Sequence, residues 1–321
     1  MPSPLRIVFF GTPAFAVSSI DILVKNGFDI AGVVTAPDKP SGRGQKIIPS
    51  PVKEYGEEHG LKILQPTNLK DENFIHELQQ LKADLQIVVA FRMMPEAVWK
   101  MPKLGTFNLH ASLLPQYRGS APINWAIING EKETGVTTFF LQQEIDTGKI
   151  IFQEKISIGE KETAGELHDR MMKLGAELVL KTTVAVSKEN YKLTEQDQLI
   201  KGVTLKSAPK LNKANCRIDF HKTSVEVANL VRGLCPYPAA TIEFYNDNGF
   251  SLMAKVFEVN AETSTHQQKP GHLETDNKTY LKIFLLNGWI FINELQVSGR
   301  NRMSAKDLLN GFKFMGNWIA Q

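Results

Sequence analysis

The apolar positions of the N-terminal part of the chain follow two alternating rhythms. Unbroken runs at Ile7-Val8-Phe9-Phe10, Ile30-Ala31-Gly32-Val33-Val34 and Leu85-Gln86-Ile87-Val88-Val89 have the length and β-branched content of strands covered on both faces. Leu61 to Leu64 adds a shorter one. Between these runs the repeat lengthens to that of a helix. After Thr12-Pro13, the residues Phe15, Ala16, Ser19, Ile20, Leu23 and Val24 return at helical intervals, and Phe74, Ile75, Leu78 and Leu81 do so before the run at Leu85. Strands alternating with helices predict an α/β domain with a Rossmann-like, mostly parallel sheet. Further along, Gly105–His110, Gly135–Leu141 and Lys149–Ile156 read as strands, with short helices expected from Pro95 to Trp99 and from Ile123 to Ile128. Thr163-Ala164-Gly165-Glu166 is a capping box opening a long amphipathic helix through Leu167, Met171, Leu174, Leu178 and Val179.

Both rhythms stop at Ser187. The polar stretch 188–207 has no sustained period and reads as a linker between a domain at 1–187 and a second at 208–321. In the second, Ala240–Tyr245, Leu252–Glu258, Tyr280–Phe284 and Trp289–Leu295 alternate in the manner of half-buried strands, which predicts a small antiparallel β-barrel.

Composition narrows the class. Hydrophobic residues at 42% and charged residues at 22% are those of a soluble globular protein. No apolar run approaches the ~20 residues of a membrane helix, and Met1-Pro2-Ser3-Pro4-Leu5-Arg6 carries no cleavable-leader pattern. Cys216 and Cys235 make no disulfide framework and lack metal-ligand spacing with any histidine, so we expect no metal and a cytoplasmic setting. From Ala208 onward there are thirteen Lys and Arg against ten Asp and Glu, which accounts for the whole net charge of +3. That is a mild signal for a polyanionic partner, and a plain solvated surface explains it equally well.

One connection is longer than a βα turn requires. Ala36 to Lys53 holds four prolines, two glycines and four basic residues against a single acidic one, and reads as an exposed basic loop with Arg43 and Lys46 at its centre. It lacks the Gly-Lys-Ser/Thr of a phosphate-binding P-loop. Gly11-Thr12-Pro13-Ala14-Phe15 likewise lacks the Gly-x-Gly-x-x-Gly of a dinucleotide site.

The candidate chemistry sits in Gly105-Thr106-Phe107-Asn108-Leu109-His110. Strand alternation sends Asn108 and His110 to one face, at the carboxyl end where open α/β sheets bind ligands. An amide N–H beside an imidazolium N–H can hold the oxyanion formed when an amine attacks a carbonyl. Asp146, in Ile145-Asp146-Thr147-Gly148, is the carboxylate that can orient the imidazole or take the amine's proton. A single Asp-Thr-Gly does not make an aspartic protease dyad. A plainer reading also fits: Asn108 capping a turn, His110 as a hydrogen-bonded rim histidine and Asp146 opening an Asp-Thr-Gly turn.

Asn108-Leu109-His110, Ser112-Leu113-Leu114-Pro115, Tyr117-Arg118-Gly119-Ser120-Ala121-Pro122, Glu133-Thr134-Gly135-Val136-Thr137 and Asp146-Thr147-Gly148 together resemble the formyltransferases that use 10-formyltetrahydrofolate. The likeness runs nearly end to end from Phe10-Gly11-Thr12-Pro13. It implies that Asn108, His110 and Asp146 are the catalytic set, that Ser112, Leu113, Leu114 and Pro115 lie against the folate co-substrate, and that the barrel is OB-like. Within the family it points to members that formylate methionyl initiator tRNA. The loop with Arg43 and Lys46 would then meet the tRNA acceptor arm, with Lys206 and Lys210 as further phosphate contacts. Nothing argues against a monomer. At Phe91-Arg92 the chain departs from the commonest family pattern, which has Tyr-Gly nearby. Two alternatives stay open: a relative that formylates a sugar-nucleotide or purine-precursor amine, and a non-catalytic RNA-binding protein.

Overall fold

The computed structural model describes residues 5–41, 46–200, 202 and 204–321. These form two compact units. The first holds the chain up to Gly119, Thr134–Ile156 and His168–Ser207; the second holds Ser120–Glu133, Ser157–Leu167 and Ala208–Gln321.

In chain order the elements up to the long helix are β1 (Arg6–Gly11), α1 (Ala14–Lys25), β2 (Asp29–Val34), β3 (Lys39–Ser41), β4 (Lys46–Ile48), α2 (Pro51–Glu58), β5 (Ile63–Leu64), α3 (Glu72–Gln80), β6 (Leu85–Val89), α4 (Glu96–Trp99), β7 (Thr106–His110), β8 (Arg118–Gly119), α5 (Pro122–Ile128), β9 (Glu133–Phe140), β10 (Ile150–Ser157) and α6 (Ala164–Ser187). The main sheet of the first unit runs β10-β9-β7-β6-β1-β2-β5. Pairing is parallel from β5 through β2, β1 and β6 to β7, and antiparallel between β7 and β9. Every residue of β6 is buried, as a parallel strand covered on both faces must be. After β2 and β5 extend one flank, β6 returns to the other side of β1. That reversal opens a crevice beyond the carboxyl ends of the central strands. On one face Val8, Phe10, Val34, Phe74, Leu78, Val88 and Val98 pack into a single core.

The long basic connection is more ordered at its base than the sequence suggests. Pro40 pairs with Ile47 where β3 and β4 form a short antiparallel hairpin, an edge position that tolerates a residue with no N–H to donate. Asp38 accepts from Lys53 Nζ at 2.5 Å and from Gln65 Nε2 at 2.7 Å, and its carboxyl is held below the usual carboxylate range chiefly by the Lys53 bond. Ser50 then caps α2 by accepting from the Lys53 N–H at 3.1 Å.

The second unit continues with β11 (Ser207–Ala208), α7 (Ser224–Leu234), β12 (Ala240–Asn246), β13 (Ser251–Thr263), β14 (Leu273–Glu274), β15 (Lys282–Leu285), β16 (Gly288–Val297), β17 (Met303–Ser304), α8 (Ala305–Gly311) and β18 (Trp318–Ala320). Its sheet runs β14-β15-β16-β13-β12-β18, with β17 added on β16, and its strands pair antiparallel. The two ends of the sheet meet: His272 bridges Ile319, and the Ala320 N–H donates to Gly271 O at 2.7 Å. Gly271 has φ +84°, and a Cβ there would stand 2.4 Å from Ala320 O, so the near-closure of the barrel needs glycine at this point. The small antiparallel barrel expected from the alternating segments is thus present, in a nearly closed form consistent with the OB-like fold that the resemblance implies. Ile242, Phe244, Val256, Ile283, Ile290, Ile292 and Leu295 fill it. Two helices were not anticipated. In α7 the Thr223 hydroxyl and Glu226 carboxylate form a reciprocal capping box, and Val227, Val231 and Leu234 join the barrel core; α8 contributes Leu308 and Leu309.

Candidate active site

Asn108 and His110 leave β7 on the same face, as alternation predicts, at the point where the parallel partner β6 is ending: Val89 pairs with Leu109. His110 lies one residue further and pairs only toward β9, opposite Thr137. The His110 ring is 7% exposed in its side chain, and its Nε2 sits 2.9 Å from Tyr117 O. A carbonyl can only accept, so the proton resides on Nε2. Nδ1 is therefore the nitrogen free to face a reacting group. Asp146 Oδ2 stands 3.8 Å from it, too far for a direct hydrogen bond.

Asp146 is held with unusual firmness for a loop residue. Its φ is +56°, the left-handed region that Asp tolerates better than most residues. Oδ2 accepts the Gly119 N–H at 3.0 Å. Two residues on, a Cβ at Gly148 would lie 1.7 Å from Phe140 O, so only glycine lets the turn close on β9. The Asp146 and Gly148 carbonyls both accept from Gln196 Nε2 at 2.8 Å. Gln196 is 2% exposed, and its Oε1 takes two bonds from Arg118, Nε at 3.1 Å and Nη2 at 2.6 Å. The linker stretch 188–207 has no period, and nothing in its polar composition marks Gln196. By contrast the Asn108 carboxamide has no hydrogen-bonding partner among the described residues, and neither does Asp146 Oδ1.

The Ser-Leu-Leu-Pro turn is fixed by side chains from the neighbouring strands. Thr137 Oγ1 donates to Ser112 O at 2.6 Å and accepts the Leu114 N–H at 3.2 Å, while Gln153 Nε2 donates to Leu114 O at 2.8 Å. The Ser112 hydroxyl donates to Gln116 O at 2.6 Å, and Ser112, Leu114 and Pro115 are buried. Leu114 packs against Phe139 and Ile150. Leu113 is partly open, beside Gly135. The side chains of Ser112 and Leu114 thus serve the fold. After β6, Arg92 donates to Thr67 O at 2.9 Å and also to Pro66 O, and Met93 beside it is 72% exposed.

The expected tRNA contacts are dispersed. Arg43 lies outside the described residues, as does the side chain of Lys46. Lys206 and Lys210 are exposed. The Lys206 backbone accepts from the Tyr117 N–H at 2.7 Å, and the Lys210 carbonyl accepts from Asn215 Nδ2 at 3.2 Å. Among the described residues no group of three or more His, Cys, Asp or Glu side chains could hold a metal ion, and no helix is long and apolar enough to cross a membrane.

An open carboxamide, an imidazole with one free nitrogen and a carboxylate with one free oxygen, at the carboxyl end of a Rossmann-like sheet, are groups of the kind that transfer of a carbonyl group to an amine requires. The chain belongs to the formyl transferase family: residues 5–183 match the formyl transferase model and residues 210–313 that of the formyl transferase C-terminal domain. It is 50% identical over 308 residues to a methionyl-tRNA formyltransferase of Bacteroides fragilis, covering 96% of this chain and 95% of that protein. With one from Flavobacterium johnsoniae it shares 52% identity over 310 residues, 97% of each. Among solved structures it is similar to WlaRD, a sugar 3N-formyl transferase crystallised in the presence of dTDP and 5-N-formyl-THF, with a TM-score of 0.65 at 22% identity over 92% of this chain and 99% of that one. At that identity the likeness is one of fold.

Proposed function

We propose that this protein transfers the formyl group of 10-formyltetrahydrofolate to the α-amino group of methionine carried by initiator tRNA. One observation carries the proposal: half of its residues are shared, over 96% of its length, with proteins named methionyl-tRNA formyltransferase. The geometry of β7 and the Asp146 loop fits the chemistry. The amine attacks in its neutral form, the new C–N bond forms at the formyl carbon, and the carbonyl electron pair moves onto oxygen. The open Asn108 amide and a proton on His110 Nδ1 stabilise that oxygen. Asp146 stabilises the imidazolium and takes the amine's proton at Oδ1, through water. Collapse of the adduct breaks the bond to N10 of the folate, which receives a proton in exchange. Two of the three groups are locked by bonds to carbonyls and N–H groups that cannot follow a substrate, so the site does not reorganise during the reaction.

Ser112 to Pro115 line the folate side, Leu113 with its side chain and its neighbours with their backbone. Arg43, Lys46, Lys206 and Lys210 contact tRNA phosphates. Asn108, His110 and Asp146 all come from one chain, so a monomer suffices, working in the cytoplasm where charged initiator tRNA is made and used.

The test is formyl transfer from 10-formyltetrahydrofolate by the purified protein, offering methionyl initiator tRNA, methionyl elongator tRNA, free methionine and an amino-sugar nucleotide in parallel. Turnover on the charged initiator tRNA is expected. Turnover only on the amino sugar would keep the catalytic trio and remove the tRNA assignment.

A further inference from the structure

Neither family match covers residues 184–209, yet that connecting segment is bonded into the site at two places. Thr194 exchanges both backbone hydrogen bonds with Ile150, each at 2.9 Å, and brings in the 3₁₀ turn Gln196–Leu199. Ten residues later, Lys206 O accepts the Tyr117 N–H at 2.7 Å, while the Gln116 side chain spans from Thr204 O at 3.0 Å to the Lys206 N–H at 2.8 Å. Tyr117 is the residue whose carbonyl fixes the His110 proton. The segment therefore supports the backbone beneath His110 and the backbone that carries Asp146.

We infer that Gln196, within this segment, is a positioning residue for Asp146. Its carboxamide reaches Asp146 from two directions. Through Nε2 it holds the carbonyls of Asp146 and Gly148, which fixes the peptide planes on the C-terminal side of Asp146 and so the direction of its Cα–Cβ bond. Through Oε1 it holds the Arg118 guanidinium, next to the Gly119 N–H that binds Asp146 Oδ2. A residue held at φ +56° has more favourable backbone conformations to relax into once those bonds are gone. Relaxation would swing the carboxylate away from His110 Nδ1. All four hydrogen-bonding positions of the Gln196 amide are used, and no other residue type of that length offers two donors and two acceptors.

The inference rests on Asp146 being the proton acceptor, and its test separates the two ideas. Gln196→Met keeps the volume and removes every bond; Gln196→Glu keeps the acceptor for Arg118 and removes both donors. Each is expected to lower kcat by ~10–100-fold, the cost of misplacing a reacting group by about an ångström. KM for 10-formyltetrahydrofolate and for methionyl-tRNA should stay within about threefold. Glu195→Ala, which removes only the exposed ion pair with Lys149, should leave kcat and both KM values at wild-type levels. Wild-type kcat in both Gln196 variants below their melting temperatures, or a loss confined to KM, would overturn the inference. If Gln196→Met does not fold, Gln196→Glu decides alone. Absence of turnover in the wild-type protein itself would instead remove the functional reading on which this rests.

Discussion

The two ends of the parallel sheet in the first unit are built from the same strands and treat polar groups in opposite ways. At the amino end, Asp84 precedes β6 and is saturated: Oδ2 accepts the Arg6 N–H at 2.9 Å, Oδ1 meets Lys103 at 2.9 Å, its N–H donates to Arg6 O at 2.8 Å and its carbonyl accepts the Leu104 N–H at 2.9 Å. Arg6 in turn pairs with Asp29 at 3.0 Å and donates to Leu81 O at 3.2 Å. At the carboxyl end the Asn108 amide, His110 Nδ1 and Asp146 Oδ1 are left open among the described residues, although the backbone around them is tied down as firmly as at the other end. Polar groups that are all satisfied record a structural task. Open polar groups on a rigid frame have their partner outside the protein.

The sharpest way to break this contrast is Asp146→Asn, which keeps the shape of the open end and removes the base proposed for it. We expect kcat to fall by ~10³-fold with tRNA affinity retained, by single-turnover kinetics beside a filter-binding titration. Retained turnover would show that the open carboxylate is not the proton acceptor. Asn108→Ala should cost ~10²-fold in kcat and leave the melting temperature within about a degree or two, since no hydrogen bond within the described residues is lost.

Asp84→Asn at the saturated end should do the reverse, with turnover within about twofold and a stability loss of ~1–3 kcal/mol at neutral pH by urea unfolding. The Arg6 N–H first, and Lys103 after it, hold the Asp84 carboxyl below its ordinary range. A depressed folded-state pKa means that this stability is fully present above the unfolded carboxylate value of ~3.9 and is lost as pH falls through the lower folded value. The difference between wild type and Asp84→Asn should therefore narrow below about pH 4. A difference that widened there would contradict the assignment. The smallest effect is expected from Lys103→Ala: that side chain is 73% exposed, and an exposed ion pair contributes at most ~0.5 kcal/mol.

Much of this contrast was legible in the sequence, but only where a period carries the information. The apolar runs at Ile7 and Leu85 announce strands covered on both faces, and the alternation through Thr106, Asn108 and His110 places three polar side chains on one side of β7. No period encodes the arm that brings Asp146 to within 3.8 Å of His110; that distance follows from the hairpin of β9 and β10 and from the close approach at Gly148. Gln196 is buried by tertiary contact alone, inside a stretch whose composition describes solvent. For α7 the signal is in the sequence: Thr223-x-x-Glu226 followed by Val227, Leu230, Val231 and Leu234 is the pattern of a capped helix, set among strand-forming segments. At Ser112 the motif says nothing of the hydroxyl, which donates to Gln116 O.

The way the chain is threaded through its two units has a consequence for taking the molecule apart. Segments 120–133 and 157–167 are counted with the barrel, while Thr134–Ile156, which carries Asp146, and His168–Ser207, which carries Gln196, return to the sheet. The polypeptide passes between the units five times, so no single scission yields two fragments that each contain one whole unit. A protease nick in the connecting segment, after Gln196 and before Ala208, is expected to leave fragments that stay together and must be separated by denaturant. Their refolding would then obey second-order kinetics, which makes chain connectivity itself something that can be measured.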